Sequence, residues 1–292
     1  MKYLFTNILL TVMMIIPLAC ATDDAEPSDT NAAEEMPLVV EGWIGEGEAP
    51  VVMVTHAIPL DSDVTDFSNV VERWCRVSVF EDDREYLLTG RLNDAYTPSL
   101  IYTSSRLKGK PGHTYRLLVE TTERSAIAEA TLRPAAAISR LEAVSSAEEP
   151  DKYVIRAFID APDPEGFYKL MVRVIDEEER FYPAFLGNFS GAEYDPQTGR
   201  DITRGLHARL DQEEAAAFSH YFEPGSTVMV QLCRIEPEVF DFWKVYDANV
   251  SLSSNMFFTF TADCPGNVGG AKGYWSPQGT STAAIRIPPS ET

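Results

Sequence analysis

The chain has 292 residues, with 45 acidic side chains against 24 lysines and arginines and a formal net charge of −21. So acidic a surface repels phosphate backbones and anionic headgroups. It excludes nucleic acid and a peripheral electrostatic membrane contact as partners, and leaves cations, basic peptides or neutral ligands. With 45% hydrophobic and 11% aromatic residues, the chain has ample material for a core, and its length predicts two domains.

The first twenty residues, MKYLFTNILLTVMMIIPLAC, read as a lipoprotein signal peptide. Lys2 supplies the positive end, residues 4–18 an apolar run too short for a dependable span, and Ala19 the small residue before the cut. Pro17-Leu18-Ala19-Cys20 resembles the bacterial lipobox, with Pro17 where Leu is usual. On this reading residues 1–19 are removed and Cys20 becomes the lipidated N-terminus. Two or three acyl chains there, palmitate among them, hold a protein on a bilayer stably, whereas one gives marginal binding. The membrane is then a partner through the lipid alone, because no later segment offers about 18 uninterrupted apolar residues. Residues 20–36 are acidic and carry no aromatic, which predicts a lipidated, disordered tether.

From Pro37 the apolar pattern has period two, which predicts strands at 38–44, 51–57, 75–82, 84–90 and 114–122. Turn formers separate them, as in Gly45-Glu46-Gly47 and the run from Lys108 to Gly112. Short strands punctuated in this way predict an immunoglobulin-like or transthyretin-like β-sandwich over residues 37–134, closed by Pro134. A second β-rich domain is expected over 135–292, with strands starting at Ile138 and at 152–160, 167–176, 181–186 and 227–235. Two short helices interrupt it. Asp211 with Glu214 forms a capping-box-like start to the helix at 211–222, and Pro237 opens the helix at 237–249, where Val239, Trp243 and Tyr246 share a face. Residues 193–205 are expected to form a mobile loop.

Beyond Cys20 the three cysteines Cys75, Cys233 and Cys264 make an odd count in a compartment that permits disulfides. Either they are buried thiols, or Cys233 and Cys264 form a disulfide tying a late strand to the glycine-rich C-terminal loop, with Cys75 unpaired.

Little in the chain points to catalysis. His56, His113, His207 and His220 are scattered, with no H-E-x-x-H pair and no Cys-x-x-Cys, so no zinc site is expected. No G-x-S-x-G elbow is present, and the glycine-rich run at 266–273 lacks the Lys-Ser/Thr ending of a phosphate loop. Asp61, Asp63 and Asp66, and Asp160, Asp163 and Glu165, lack the spacing of a calcium hand and read as solvated turns. The chain is therefore read as a non-enzyme without catalytic residues, metal or cofactor. Tyr274 and Trp275 are the candidate ligand contacts, since exposed aromatics stack on sugars or anchor peptides. The alternative is that they plug the end of the C-terminal sheet. Trp43, Trp74 and Trp243 are expected in the core.

Several pieces together carry a family resemblance: the strand from Leu38 to Ile44, Gly112-His113-Thr114-Tyr115, and Ile159-Asp160-Ala161-Pro162 leading to Phe167-Tyr168. The last pieces are Ser254-Asn255 and the run from Gly269 to Trp275. In these the chain resembles a family of Bacteroidetes outer-membrane lipoproteins, domain of unknown function 4249. The resemblance implies a lipoprotein of the outer membrane, often encoded beside a TonB-dependent receptor, and implies no activity. Ala21-Thr22-Asp23-Asp24 looks like the acidic export signals of surface-exposed lipoproteins of that phylum. The expected function is a lipid-anchored binding or accessory module that works with a TonB-dependent transporter in nutrient capture, with a peptide or glycan as ligand. The alternatives are a surface hydrolase and a structural or adhesive cell-envelope protein.

Overall fold

The first strand, β1 (Leu38–Gly45), is buried on both faces, and its two hydrogen-bonded neighbours come from opposite ends of the chain. On one side lies β2 (Val51–His56), antiparallel; on the other lies the last strand, β15 (Lys272–Arg286), parallel. The computed structural model describes residues 36–57, 70–205, 218–252 and 264–289, and from Met36 onward the chain forms one compact unit. The signal peptide, Cys20, the tether, the cluster around Asp61, His207 and Ser254-Asn255 lie outside the described residues.

Between β2 and β15 run β3 (Arg76–Glu81), β4 (Arg84–Leu87), β5 (Thr89–Leu92), β6 (Leu100–Thr103), β7 (Thr114–Glu120), β8 (Ser125–Thr131), β9 (Ala137–Ser145) and β10 (Tyr153–Asp160). They are followed by β11 (Phe167–Val174), β12 (Tyr182–Ser190), β13 (Arg200–Arg204), β14 (Thr227–Ile235) and the helix α1 (Pro237–Leu252). A large sheet has the order β5-β6-β2-β1-β15-β14-β11-β12-β13-β10-β9, and a small one β4-β3-β7-β8. The fold is mostly β, with sandwiched sheets.

The small sheet packs on the β1–β2 region. Leu38, Val40, Val52 and Val54 meet Val77, Val79, Leu117 and Val119 across one core. The alternation expected for β7 holds, with Tyr115, Leu117 and Val119 inward and Arg116 exposed. The segment expected as one strand at 84–90 divides at buried Leu88: β4 pairs in the small sheet and β5 in the large one. Trp275 of β15 is fully buried in the same core and donates from Nε1 to the Tyr115 carbonyl at 2.9 Å. Its ring lies where a Cβ on Gly42 would stand 2.8 Å from Cε3, so glycine is required at that close approach.

A second core lies within the curl of the remaining sheet, where Ile155, Leu170, Val172, Phe189, Ile202 and Val230 converge. β9 returns towards β15, and the Ile138 N–H donates to Ser281 Oγ at 3.1 Å. One sheet therefore spans both expected domains. Residue 134 separates neither two compact units nor the two cores, because β1 takes the C-terminal β15 as its neighbour and Val268 and Trp275 belong to the first core.

Of the two expected helices, one is present among the described residues. α1 buries Val239, Phe242 and Trp243 against Cys233, Ile235 and Tyr274, with Tyr246 partly buried beside them, as the shared face predicted. The expected helix at 211–222 lies mostly outside the described residues, and its described end is not helical: Phe222 bridges to Tyr153. The expected mobile loop at 193–205 includes β13, because Ile202 is a core residue that pairs with Ile155.

Candidate functional site

Cross-strand partners share a face of the sheet, so the register of β1 determines which side chains meet. The even-numbered residues of β1 enter the sandwich core. The odd ones, Val39, Glu41 and Trp43, face the other way, beside Met53 of β2 and Tyr274 and Ser276 of β15. On β11 the same alternation sends Leu170 and Val172 to the second core and Lys169, Met171 and Arg173 to this opposite side. These residues, with Gln231 of β14, line a cavity of about 390 Å³. Trp243 and Tyr246 of α1, Tyr96 and Pro98, Arg180 and Phe181, and Glu48, His56, Glu179 and Gln278 also line it.

The polar groups in this cavity are unusual for their burial. Lys169 is only 5% exposed. Its ammonium sits over the indole of Trp243, 2.7 Å from the ring centroid, and it has no hydrogen bond or ion pair among the described residues. Burial holds its affinity for a proton well below the ordinary lysine value, against the attraction of Asp247, Cys233 and Glu41. Burial likewise pushes the Glu41 carboxyl from 4.5 up to about 7, which Lys169 and Arg180 partly oppose. Asp247 is raised to about 6 by burial, against Lys169 and a hydrogen bond from Asn188 Nδ2 at 2.6 Å.

The aromatic lining falls into two groups. Trp243 lies 5.1 Å from Tyr246 and 5.5 Å from Tyr274, centroid to centroid. Trp43 lies 6.0 Å from Tyr96. Arg180 holds the Tyr96 segment by donating from Nε to the Ala95 carbonyl at 2.8 Å and stacking on Tyr96 and Tyr182. At another edge His56 Nε2 meets Glu72 Oε2 at 3.1 Å. An apolar and aromatic cleft with a few convergent polar groups is the usual form of a small-molecule site.

The two aromatics singled out in the sequence separate here. Tyr274 and Trp275 lie on β15, not in a glycine-rich loop, and point to opposite faces: Tyr274 lines the cavity while Trp275 is core. Trp43 and Trp243 also line the cavity, whereas Trp74, expected in the core, is 85% exposed outside any strand. The expected disulfide is not formed. Cys75, Cys233 and Cys264 are free thiols; Cys233 Sγ donates weakly to Gln231 Oε1 at 3.6 Å and Cys264 Sγ to the Phe242 carbonyl at 3.7 Å. Both belong to the hydrophobic cluster under α1, where a thiol packs as a small apolar group. Asp163 is a turn residue, accepting from the Glu165 N–H at 3.0 Å and from Arg234 at 2.6 Å.

Sequence reasoning missed Glu41, Lys169 and Gln231. Each interrupts an otherwise apolar strand, in LVVEGWI, FYKLMV and TVMVQL. A strand apolar on both faces is buried on both, and a polar residue inside one must find a partner or a cavity.

Comparison with proteins of curated function finds no match. Among solved structures, a two-domain fibronectin type-III segment from chicken tenascin aligns over 68% of this chain and 90% of its own, at 9% identity and a TM-score of 0.21. A family model described as Domain of unknown function (DUF4249) matches residues 24–276, a span that includes every described strand up to the first residues of β15 and every wall of the cavity except Gln278, and the chain belongs to that family.

Proposed function

We propose that the chain is a surface-exposed outer-membrane lipoprotein, anchored through lipid on Cys20, whose folded part is a binding module that serves a TonB-dependent transporter in nutrient capture. The observation that carries the binding role is the cavity itself, where Glu41 and Lys169 meet an aromatic lining without satisfying each other. A largely apolar cleft into which a few polar groups converge is the form that small-molecule sites take. The lipobox-like run before Cys20 and the acidic segment after it support the anchor. A random coil the length of residues 20–36 has an end-to-end distance on the order of 20 Å, enough to let an anchored module approach a neighbouring receptor.

The experiment is a pull-down of the lipidated chain from outer membranes, with native mass spectrometry of the eluate. The expected result is co-purification of a large β-barrel receptor and a small-molecule adduct that is lost in Trp43→Ala. Recovery of the chain without receptor or adduct, or membrane fractionation of Cys20→Ser, overturns the reading.

A further inference from the structure

We propose that the cavity takes a short peptide in its zwitterionic form, with the terminal carboxylate received by Lys169 and the terminal amine by Glu41. The inference rests on the binding-module reading above and names its ligand class.

The argument begins with two groups of opposite charge that face one cavity yet form no ion pair with each other or with another described residue. A buried unpaired charge costs several kcal/mol, so burial draws both groups toward their neutral forms, and a counter-charge brought by a ligand would restore the charged ones. Here the fold holds the groups apart. Lys169 is on β11 over Trp243, and Glu41 is on β1 opposite Tyr274. A ligand carrying one charge would satisfy one of them and leave the other. A monoanion would also enter against the net charge of −21, and a neutral glycan would match neither. A molecule with an amine at one end and a carboxylate at the other meets both at once.

The rest of the lining fits a peptide between those ends. The side chains of Gln231 and Gln278 each offer a carboxamide donor and acceptor, the complement of a peptide unit. Trp43 and Tyr274 offer apolar faces for side chains. The volume of about 390 Å³ lies in the range of small-ligand sites, roughly 300–1,000 Å³, and suits a short peptide rather than a folded partner. Other titratable or charged groups surround the pair: Asp247 and Tyr246 on α1, Cys233 on β14, Tyr274 on β15 and Arg180 ahead of β12, with Glu48, His56, Arg173 and Glu179 elsewhere in the lining.

The test uses the purified full chain and a pool of di- to tetrapeptides from casein in three forms: free, N-acetylated and C-terminally amidated. Native mass spectrometry identifies retained members and calorimetry ranks them. The free form should be retained, and either cap should weaken binding about 10- to 100-fold, the scale of one lost charge-assisted hydrogen bond. Lys169→Met should abolish the penalty for the amide but keep that for the acetyl cap, and Glu41→Gln should do the reverse. Lys169→Arg keeps the charge and should keep both penalties, which separates lost recognition from lost folding. Equal binding of capped and free peptides, retention of maltose in their place, or no retention of any form overturns the inference. If peptides fail while membrane-derived adducts are found in the pull-down, only the ligand class is wrong; if both fail, the binding reading falls as well.

Discussion

Glu41 and Tyr274 stand opposite each other in the parallel pairing of β1 with β15 and share the cavity face, while their neighbours Gly42 and Trp275 form the next pair and share the core face. One register thus assembles the sandwich core and the candidate site together. A slip of one residue would pair Glu41 with Trp275 on one face, carrying either Trp275 into the cavity or Glu41 into the core.

Because the Trp275 ring occupies the space beside Gly42, Gly42→Ala should overpack the core and destabilise the chain by about 1–3 kcal/mol. Trp275→Ala should cost more, about 3–5 kcal/mol, through the cavity it leaves and the lost bond to the Tyr115 carbonyl. Urea denaturation followed by fluorescence measures both. Changes below about 0.5 kcal/mol would show that the ring does not hold the sheets together.

A fragment of residues 38–132 should fail to show a cooperative thermal transition. It would expose the β15 side of β1 and lose Trp275 from its core, leaving an unpaired edge and a large void. A sharp melting transition in the isolated fragment would contradict the single sheet.

The Glu41 carboxyl binds its proton more tightly folded than unfolded, at about 7 against 4.5. Its contribution to stability is therefore fully present below pH 4.5 and is lost as the pH rises through about 7. That slope amounts to about 3 kcal/mol. Glu41→Gln should flatten it, leaving a component of the same sign from Asp247, which is raised to about 6, and an opposing one from Lys169, whose proton affinity is lowered. Denaturation midpoints of both proteins from pH 4 to 8 give the comparison, and superimposable profiles would sink the assignment.

Cys75, Cys233 and Cys264 should all be alkylated by iodoacetamide in the denatured chain without reductant. In the native chain at pH 8, Cys75 should react first, because Cys233 and Cys264 are buried. All remain slow, since burial pushes Cys75 up to about 11 and Cys233 up to about 12. Intact mass after timed quenching reads the order; two unreactive cysteines in the denatured chain would reinstate a disulfide.

Arg180→Ala should loosen the segment that carries Tyr96 at the cavity, because the guanidinium bridges the Ala95 carbonyl and the Tyr96 and Tyr182 rings. Hydrogen exchange should accelerate at residues 93–98, including the Tyr96 amide bonded to the Asn93 carbonyl at 3.1 Å, with little change in β7. Unchanged exchange there would show that the segment holds itself.

Much of the fold was legible locally. The strand at 227–235 is β14 to the residue, since Gly225 before it and Pro237 after it punctuate a β-branched run. α1 and its buried face followed from Pro237 and the spacing of Val239, Trp243 and Tyr246. β15 was not legible, because Gly273, Pro277 and Gly279 read as turn residues. It forms because Gly273 adopts a φ of 104° and lets β1 approach backbone to backbone, a condition imposed by a strand more than 200 positions away. The site was missed for the same reason. Glu41 and Lys169 are far apart in the chain and unremarkable singly, and only the sheet brings them to one cavity.

The amino-acid sequence by itself determined the β-rich class, the alternation that gives each strand two faces, the acidity and the lipobox-like start, because these depend on neighbours within a few residues. The tertiary structure decided that two sets of strands share one sheet, that three cysteines stay unpaired, and that Tyr274 and Trp275 part company. Those outcomes depend on pairing across the whole chain, where the cost of closing long loops is recovered only when every strand has found its neighbour and each apolar face its cover.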